Sequence, residues 1–168
     1  MKKVLLTAVA VFGFAYANAQ EVRFGAKAGI DVASVKVKVP AISFLGFNIQ
    51  DESTVTSSET GFFVGGFAEI GLNDKMKLQP EVNYIAIENF NMVNVPIMLE
   101  YSIADKFGIT AGPSLNYLLD ADEDEFKANV DLGAFYDITD DLEVGAKYSL
   151  GFGDVSVSGF FAGVGYKF

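Results

Sequence analysis

From Val22 onward, apolar and polar residues alternate one for one. Val22, Phe24, Ala26, Ala28, Ile30 and Val32 are apolar, with Arg23, Gly25, Lys27, Gly29 and Asp31 between them. A period of two sends successive side chains to opposite faces of a strand, whereas a helix needs spacing near 3.6. The alternation returns over about 60–72, 76–87, 92–102, 107–117, 126–137, 142–151 and 157–168, which predicts seven further strands and eight in all. The glycines scattered through these windows weaken any helical alternative.

The two faces differ in kind. Counted from Phe62 in the second segment and Phe160 in the last, one face carries no Asp, Glu, Lys, Arg, Asn or Gln. The other carries Arg23, Lys27, Lys77, Lys127, Lys147 and Lys167 against Asp31, Glu69, Glu81, Glu100, Asp131 and Glu143, with Asp137 near a turn. A solvated surface has no need of balanced signs. An enclosed interior does, because an unpaired buried charge is expensive. The pattern predicts a sheet that is apolar outside and ion-paired inside.

Connections between the segments agree with that reading. Those at Asn73–Lys75, Ile103–Lys106 and Ile138–Asp141 are short, and they alternate with more variable ones at 34–59, 88–91, 118–125 and 153–156. Outer-membrane barrels have short periplasmic turns and longer external loops, and an even strand number returns both termini to the periplasm. A sheet in lipid must close, since no water satisfies an open edge there. The expected fold is all-β: one eight-stranded antiparallel up-and-down transmembrane barrel over residues 20–168, in a bacterial outer membrane. Tyr84, Tyr101, Phe107, Tyr117, Tyr136, Tyr148 and Phe168 fall near strand ends on the apolar face, where an aromatic girdle belongs. Gly25, Gly29, Gly65, Gly145, Gly163 and Gly165 would leave room for long charged side chains in a lumen that eight strands make just wide enough to fill. Arginine in place of Val164 would cost about 2–4 kcal/mol at midplane lipid; unaltered refolding of that variant would reverse the face assignment. Pro80, Pro96 and Pro113 lie within strands, where each removes a ladder donor, so bulges or shifted strand ends are expected. A soluble exported calyx of lipocalin type matches the length and strand number equally, but not the sparse, sign-balanced polar face.

Upstream, Lys2 and Lys3 precede a mostly apolar run from Val4 to Phe14 and then Ala17-Asn18-Ala19. This is the form of a cleaved secretory signal peptide, residues 1–19; the run is short of the roughly 20 residues an anchoring helix needs. At 168 residues and 51% hydrophobic, the chain suits one domain and is too apolar for disorder. A net charge of −10 leaves no nucleic-acid footprint. With neither Cys nor His, the chain lacks disulfides, thiolate metal sites and the usual general base.

The strings LQPEVNY (78–84), VNVPIMLEYSIADKFGITAGPSLNYLL (93–119) and FFAGVGYKF (160–168) resemble the small outer-membrane β-barrel domain proteins, PorT-like or OmpX-like, abundant in Bacteroidetes. The likeness covers nearly all of the chain after residue 19 and is least evident over 34–59. It implies the fold and an outer-membrane location, and no particular substrate, because the family is functionally heterogeneous. In that family prolines recur at the matches to Pro80, Pro96 and Pro113. A last strand ending in Phe168, with Tyr166 two before it, is similar to the signal read by the outer-membrane assembly machinery.

Few constellations suggest chemistry. The run Asp120-Ala121-Asp122-Glu123-Asp124-Glu125 supplies hard-cation oxygens, but it lacks the glycine and spacing of an EF-hand loop, and a solvated loop accounts for it. Glu69 with Glu81 or Glu100 could form an acid–base pair; the neighbouring cations make structural ion pairs the better account. Ser149 near Lys147 is equally well explained by lumen packing. Barrel lipases and acyltransferases of this architecture depend on a catalytic His, so no enzymatic activity is expected, nor any cofactor or metal. Gly151-Phe152-Gly153 and Gly163-Val164-Gly165 have no following helix and carry no phosphate-binding meaning. Inward Phe63, Phe67, Phe135 and Phe161 would either line a narrow apolar passage or plug the lumen. The segment 34–59, with Phe44, Leu45 and Phe47 in an apolar stretch, is the candidate loop for an extracellular partner. Outer-membrane lipid and the assembly machinery are the other expected partners.

Overall fold

The computed structural model describes residues 22–39, 42–44, 47–50, 53–88, 90–119, 126–153 and 155–168; the expected signal peptide and the acidic run 120–125 lie outside them. In chain order the strands are β1 (Val22–Val39), β2 (Ile42–Phe44), β3 (Phe47–Gln50), β4 (Ser53–Asn73), β5 (Met76–Ile87), β6 (Asn91–Ala104), β7 (Phe107–Leu118), β8 (Phe126–Asp137), β9 (Leu142–Gly151) and β10 (Val155–Lys167). Eight of them close into a barrel in the order β1-β10-β9-β8-β7-β6-β5-β4, while β2 and β3 form a small separate sheet. Every neighbouring pair is antiparallel.

Burial follows the period-two pattern and gives its sense. Phe62 is 70% exposed and Val164 51%, whereas Asp31, Asn94 and Asp131 are fully buried. The barrel is apolar outside and polar within, the arrangement that hydrocarbon demands. Aromatic residues collect on the outer face at both ends of the wall. Phe107 and Tyr136 are register partners at the end bearing the short turns and the first and last described residues, Val22 and Phe168. At the opposite end, the loop end, the paired Tyr117 and Phe126 have ring centroids 4.9 Å apart.

Two expectations need correction. The segment 34–59 is not one long loop, because β1 and β4 continue through half of it, paired from Ser34↔Ser58 to Val39↔Ser53. The cause is legible in retrospect: Val35, Val37 and Val39 alternate with Ser34, Lys36 and Lys38, opposite the β-branched run Thr54-Val55-Thr56. On its other side β1 stays paired with β10 as far as Val37↔Val155, so a three-stranded extension rises from the loop end.

The prolines are not absorbed by bulges or shifted ends. The register is constant past Pro80, Pro96 and Pro113; the shifts within the wall fall near turns, between Gly71 and Asn73 and between Ser102 and Ala104. Each proline instead interrupts the pairing with the preceding strand. On either side of the gap, pairing runs Phe67↔Glu81 to Ile70↔Leu78, Pro80↔Ile97 to Asn83↔Asn94, and Pro96↔Ser114 to Leu99↔Ala111.

Candidate functional site

The lumen is built from the inward residues of all eight wall strands, and it changes character along its length. At the turn end Lys167 of β10 is the hub, only 2% exposed. Its Nζ lies 2.9 Å from Glu69 on β4, 3.0 Å from Glu143 on β9 and 3.1 Å from Asp137 on β8. Lys77 of β5 adds a second contact to Glu69 at 2.9 Å. This layer forms a charged floor.

One layer up, Lys27 of β1 donates to Glu81 at 2.6 Å and to Gln79 at 3.1 Å. Lys147 of β9 donates to Asp131 at 2.9 Å and stands 3.8 Å from Glu81. Both ammonium groups also rest over rings: Lys27 lies 4.7 Å from the Phe67 centroid and Lys147 4.9 Å from that of Phe161.

A chain of amides and hydroxyls, which the charge pattern alone did not reveal, runs beside these pairs. Asn83 donates to Asn94 at 3.3 Å, and Asn94 to Asn116 at 2.8 Å. Ser114 and Ser149 both donate to Asp131, at 2.7 and 2.6 Å. Asn129 donates to Ser149 and to the Val157 carbonyl, both at 2.8 Å. The signal was present in the sequence as Asn or Ser at inward parity on neighbouring strands.

Toward the loop end, polar groups give way to an apolar plug of Ala33, Phe63, Ile85, Ile87, Met92, Val157 and Phe161, with Val35 and Phe90 packed against it. Phe63 and Phe161 meet edge to face, 5.7 Å between centroids. At Gly25, Gly29, Gly108 and Gly163 the room left by an inward glycine goes to a phenylalanine ring rather than to a charged chain. Phe63 lies against Gly29, its register partner, and an added Cβ there would come within 2.7 Å of its ring. Gly165 follows the expected pattern, since its missing Cβ makes space for Glu143.

The remaining candidates are distributed as follows. Arg23 turns out of the lumen to the rim, where its guanidinium donates to Asp141 at 2.5 Å and to the Asp140 carbonyl at 2.8 Å. Lys127 is half-buried on the inner face of β8, in register with Asn116. Asp31 and Glu100 are fully buried, yet both Asp31 oxygens and Glu100 Oε2 have no hydrogen-bond partner. Phe44 and Phe47 are register partners joining β2 to β3, while Leu45, Asp120, Asp122, Glu123, Asp124 and Glu125 lie outside the described residues. Tyr166 and Phe168 point outward at the end of β10, 54% and 75% exposed. Between floor and plug is a cavity of about 70 Å³, bordered by Lys27, Glu81, Glu100, Glu143, Lys147 and Phe161 among others.

A closed, lipid-compatible barrel fits one sequence family in particular: the model of the outer membrane protein β-barrel domain matches residues 4–168. The chain belongs to that family. No curated protein sequence matches it. Among solved structures, a de novo designed transmembrane β-barrel is similar with a TM-score of 0.52 at 15% identity, covering 89% of this chain and 99% of that one. Ail, the attachment invasion locus protein of Yersinia pestis, is similar at 0.50 and 12% identity, covering 89% and 100%. OprG from Pseudomonas aeruginosa is similar at 0.50 and 14%, covering 90% and 98%. At these identities the likeness is one of fold. That a designed barrel, an attachment invasion locus protein and the outer membrane protein OprG share it shows how little the β-barrel domain says about function by itself.

Proposed function

We propose that this family member is a non-enzymatic outer-membrane barrel whose lumen is packed shut and whose working surface is the β1–β4–β10 extension, facing out of the cell, with both termini periplasmic. Within the family we read it as PorT-like or OmpX-like, on the strings quoted above. The observation that carries the proposal is the junction of plug and extension. Ala33, Val35 and Val157 belong both to the apolar cluster and to the root of the extension, so the element that closes the lumen also supports the projecting sheet.

The extension also offers a means of recognition. β4 pairs with β1 from Ser53, but β5 joins β4 only from Gly61. The overhanging run is rich in exposed hydroxyls, including Thr54, Thr56, Ser57 and Ser58. An overhanging strand is a template to which an extended segment of a partner can add by main-chain hydrogen bonds. Tyr166 and Phe168 are the contacts for the assembly machinery. Narrow conduction of small or hydrophobic solutes is disfavoured by the plug, because a dry apolar constriction stops ions and water.

The test combines two measurements on the refolded and the cell-inserted protein. The wild-type barrel is silent in a planar bilayer, whereas Phe63→Ala with Phe161→Ala gives openings. An epitope placed between Leu45 and Gly46 is labelled on intact cells. Discrete openings from the wild type would move the reading to a channel. Recovery in the soluble fraction would move it to a calyx.

A further inference from the structure

We propose that the lumen cavity is a binding site for one hydrated alkali cation, held by the Glu100 carboxylate. Lysines engage Glu69, Glu81, Asp131 and Glu143 at 2.6–3.0 Å. Glu100 is left over: it is 2% exposed and borders the cavity, and its Oε2 has no hydrogen-bond partner. Two further buried polar atoms from the walls of the same cavity are also unpartnered, Asn83 Oδ1 and Gln79 Nε2, on residues 1% and 2% exposed. One small space is thus lined by residues that carry an unpartnered carboxylate oxygen, amide oxygen and amide N–H.

That set specifies its occupant. The carboxylate asks for a positive charge, since an uncompensated one in a low-dielectric interior is costly. Hard oxygen donors suit a hard cation. The Gln79 amide N–H needs an acceptor, which a water of hydration provides. A cavity of about 70 Å³ accommodates an ion with a few waters, each needing roughly 10–15 Å³ of such space, and it excludes a bulky organic cation. The charge is single, because the charged residues lining the cavity are Lys27 and Lys147 against Glu81, Glu100 and Glu143, one negative charge in excess.

The surrounding charges point the same way. Glu100 is faced by Glu143 from β9 and Glu69 from β4, and by Lys27 from β1 and Lys77 from β5. Lys27 is committed to Glu81 and Lys77 to Glu69, while Lys167 bridges Glu69 and Glu143. Lys167 also meets Asp137, so four carboxylates share two lysines at this level, and a cation offsets part of the excess.

The probe is rubidium chloride, with choline chloride at the same ionic strength as the control. Crystals of the wild-type barrel grown in rubidium chloride show an anomalous peak in the cavity within coordination distance of Glu100. Rubidium raises the heat-modifiability midpoint of the refolded barrel by about 4 °C over choline, and Glu100→Gln abolishes that increment. Asn83→Ala, which keeps the carboxylate, reduces it and serves if the Glu100 variant does not fold. An empty cavity in the anomalous map, or equal midpoints in rubidium and choline, overturns the proposal. A midpoint that responds to pH and not to the cation also overturns it, in favour of a proton on Glu100.

Discussion

The centres of the floor and of the plug are equally buried and are held by opposite physics. Lys167 at the floor and Phe161 at the plug are both on β10, both inward, and 2% and 3% exposed. Lys167 is stable there because three carboxylates surround it. Phe161 is stable because it fills space against Phe63 and its apolar neighbours. Pairing is a matter of identity: removing one partner strands the rest as uncompensated buried charge. Filling is a matter of volume and degrades by degrees. A narrow barrel can be closed either way, but the cavity below the plug is bordered by a buried carboxylate oxygen short of a partner, Glu100 Oε2, and it is there that a ligand is needed.

The difference can be broken most forcefully at the floor. Lys167→Met keeps most of the side chain's length and removes its charge, leaving Glu69, Glu143 and Asp137 facing one another. Its expected cost is about 3–5 kcal/mol, seen as a lowered urea midpoint for the refolded barrel. A loss below about 1 kcal/mol would mean that Lys167 acts as filling, and the contrast between the two ends would collapse. The plug gives the smaller, complementary effect. Phe161→Leu keeps the apolar character and most of the volume, so about 1 kcal/mol is expected, with the bilayer still silent. A loss as large as that at the floor would show that the Phe63–Phe161 edge-to-face geometry is required, rather than apolar bulk.

How far all this could be read from the chain follows from the same contrast. Alternation in β5 to β9 was enough to place those strands within a few residues, because a barrel wall in lipid tolerates no polar residue on the wrong face. The extension of β1 is hidden in the sequence by Lys36 and Lys38, which end the run of alternating apolar residues that starts at Val22 although pairing continues. For the site, the residue types on the inner face were legible, but their partners were not. Arg23 and Lys27 sit on the same face of β1, yet one reaches the rim and the other Glu81. Pairing depends on the register around the whole barrel, and sequence spacing does not carry that. The amide chain through Asn83, Asn94 and Asn116 is not legible in the charge pattern, because uncharged polar groups leave no imprint on a count of signs.

The smallest expected effect concerns the wall itself and compares its two flanks. On one flank β8, β9, β10, β1 and β4 contain no proline, whereas on the other β5, β6 and β7 each contain one. Pro113 is the cleanest place to test what that costs, because its ring is exposed on the outer face and its pairing with Val130 of β8 is intact. The gap lies on the β6 side, opposite Ile97, and β6 and β7 nevertheless stay close: a Cβ on the adjacent Gly112 would meet the carbonyl carbon of Ile97 at 2.9 Å. Pro113→Ala restores an N–H at a position already within reach of an acceptor. Two terms then compete. Alanine frees the unfolded chain, which disfavours folding by about 0.4–1 kcal/mol. The new hydrogen bond adds about 0.5–1.5 kcal/mol, and more where the acceptor otherwise faces hydrocarbon. The second term is larger in lipid, so the refolded variant gains up to about 1 kcal/mol in a bilayer. The same comparison in a wetter detergent micelle gives a smaller gain, because water supplies the missing partner there. A lower midpoint in both media would mean that the fixed backbone angle of proline, rather than the lost donor, is what the wall at β7 depends on.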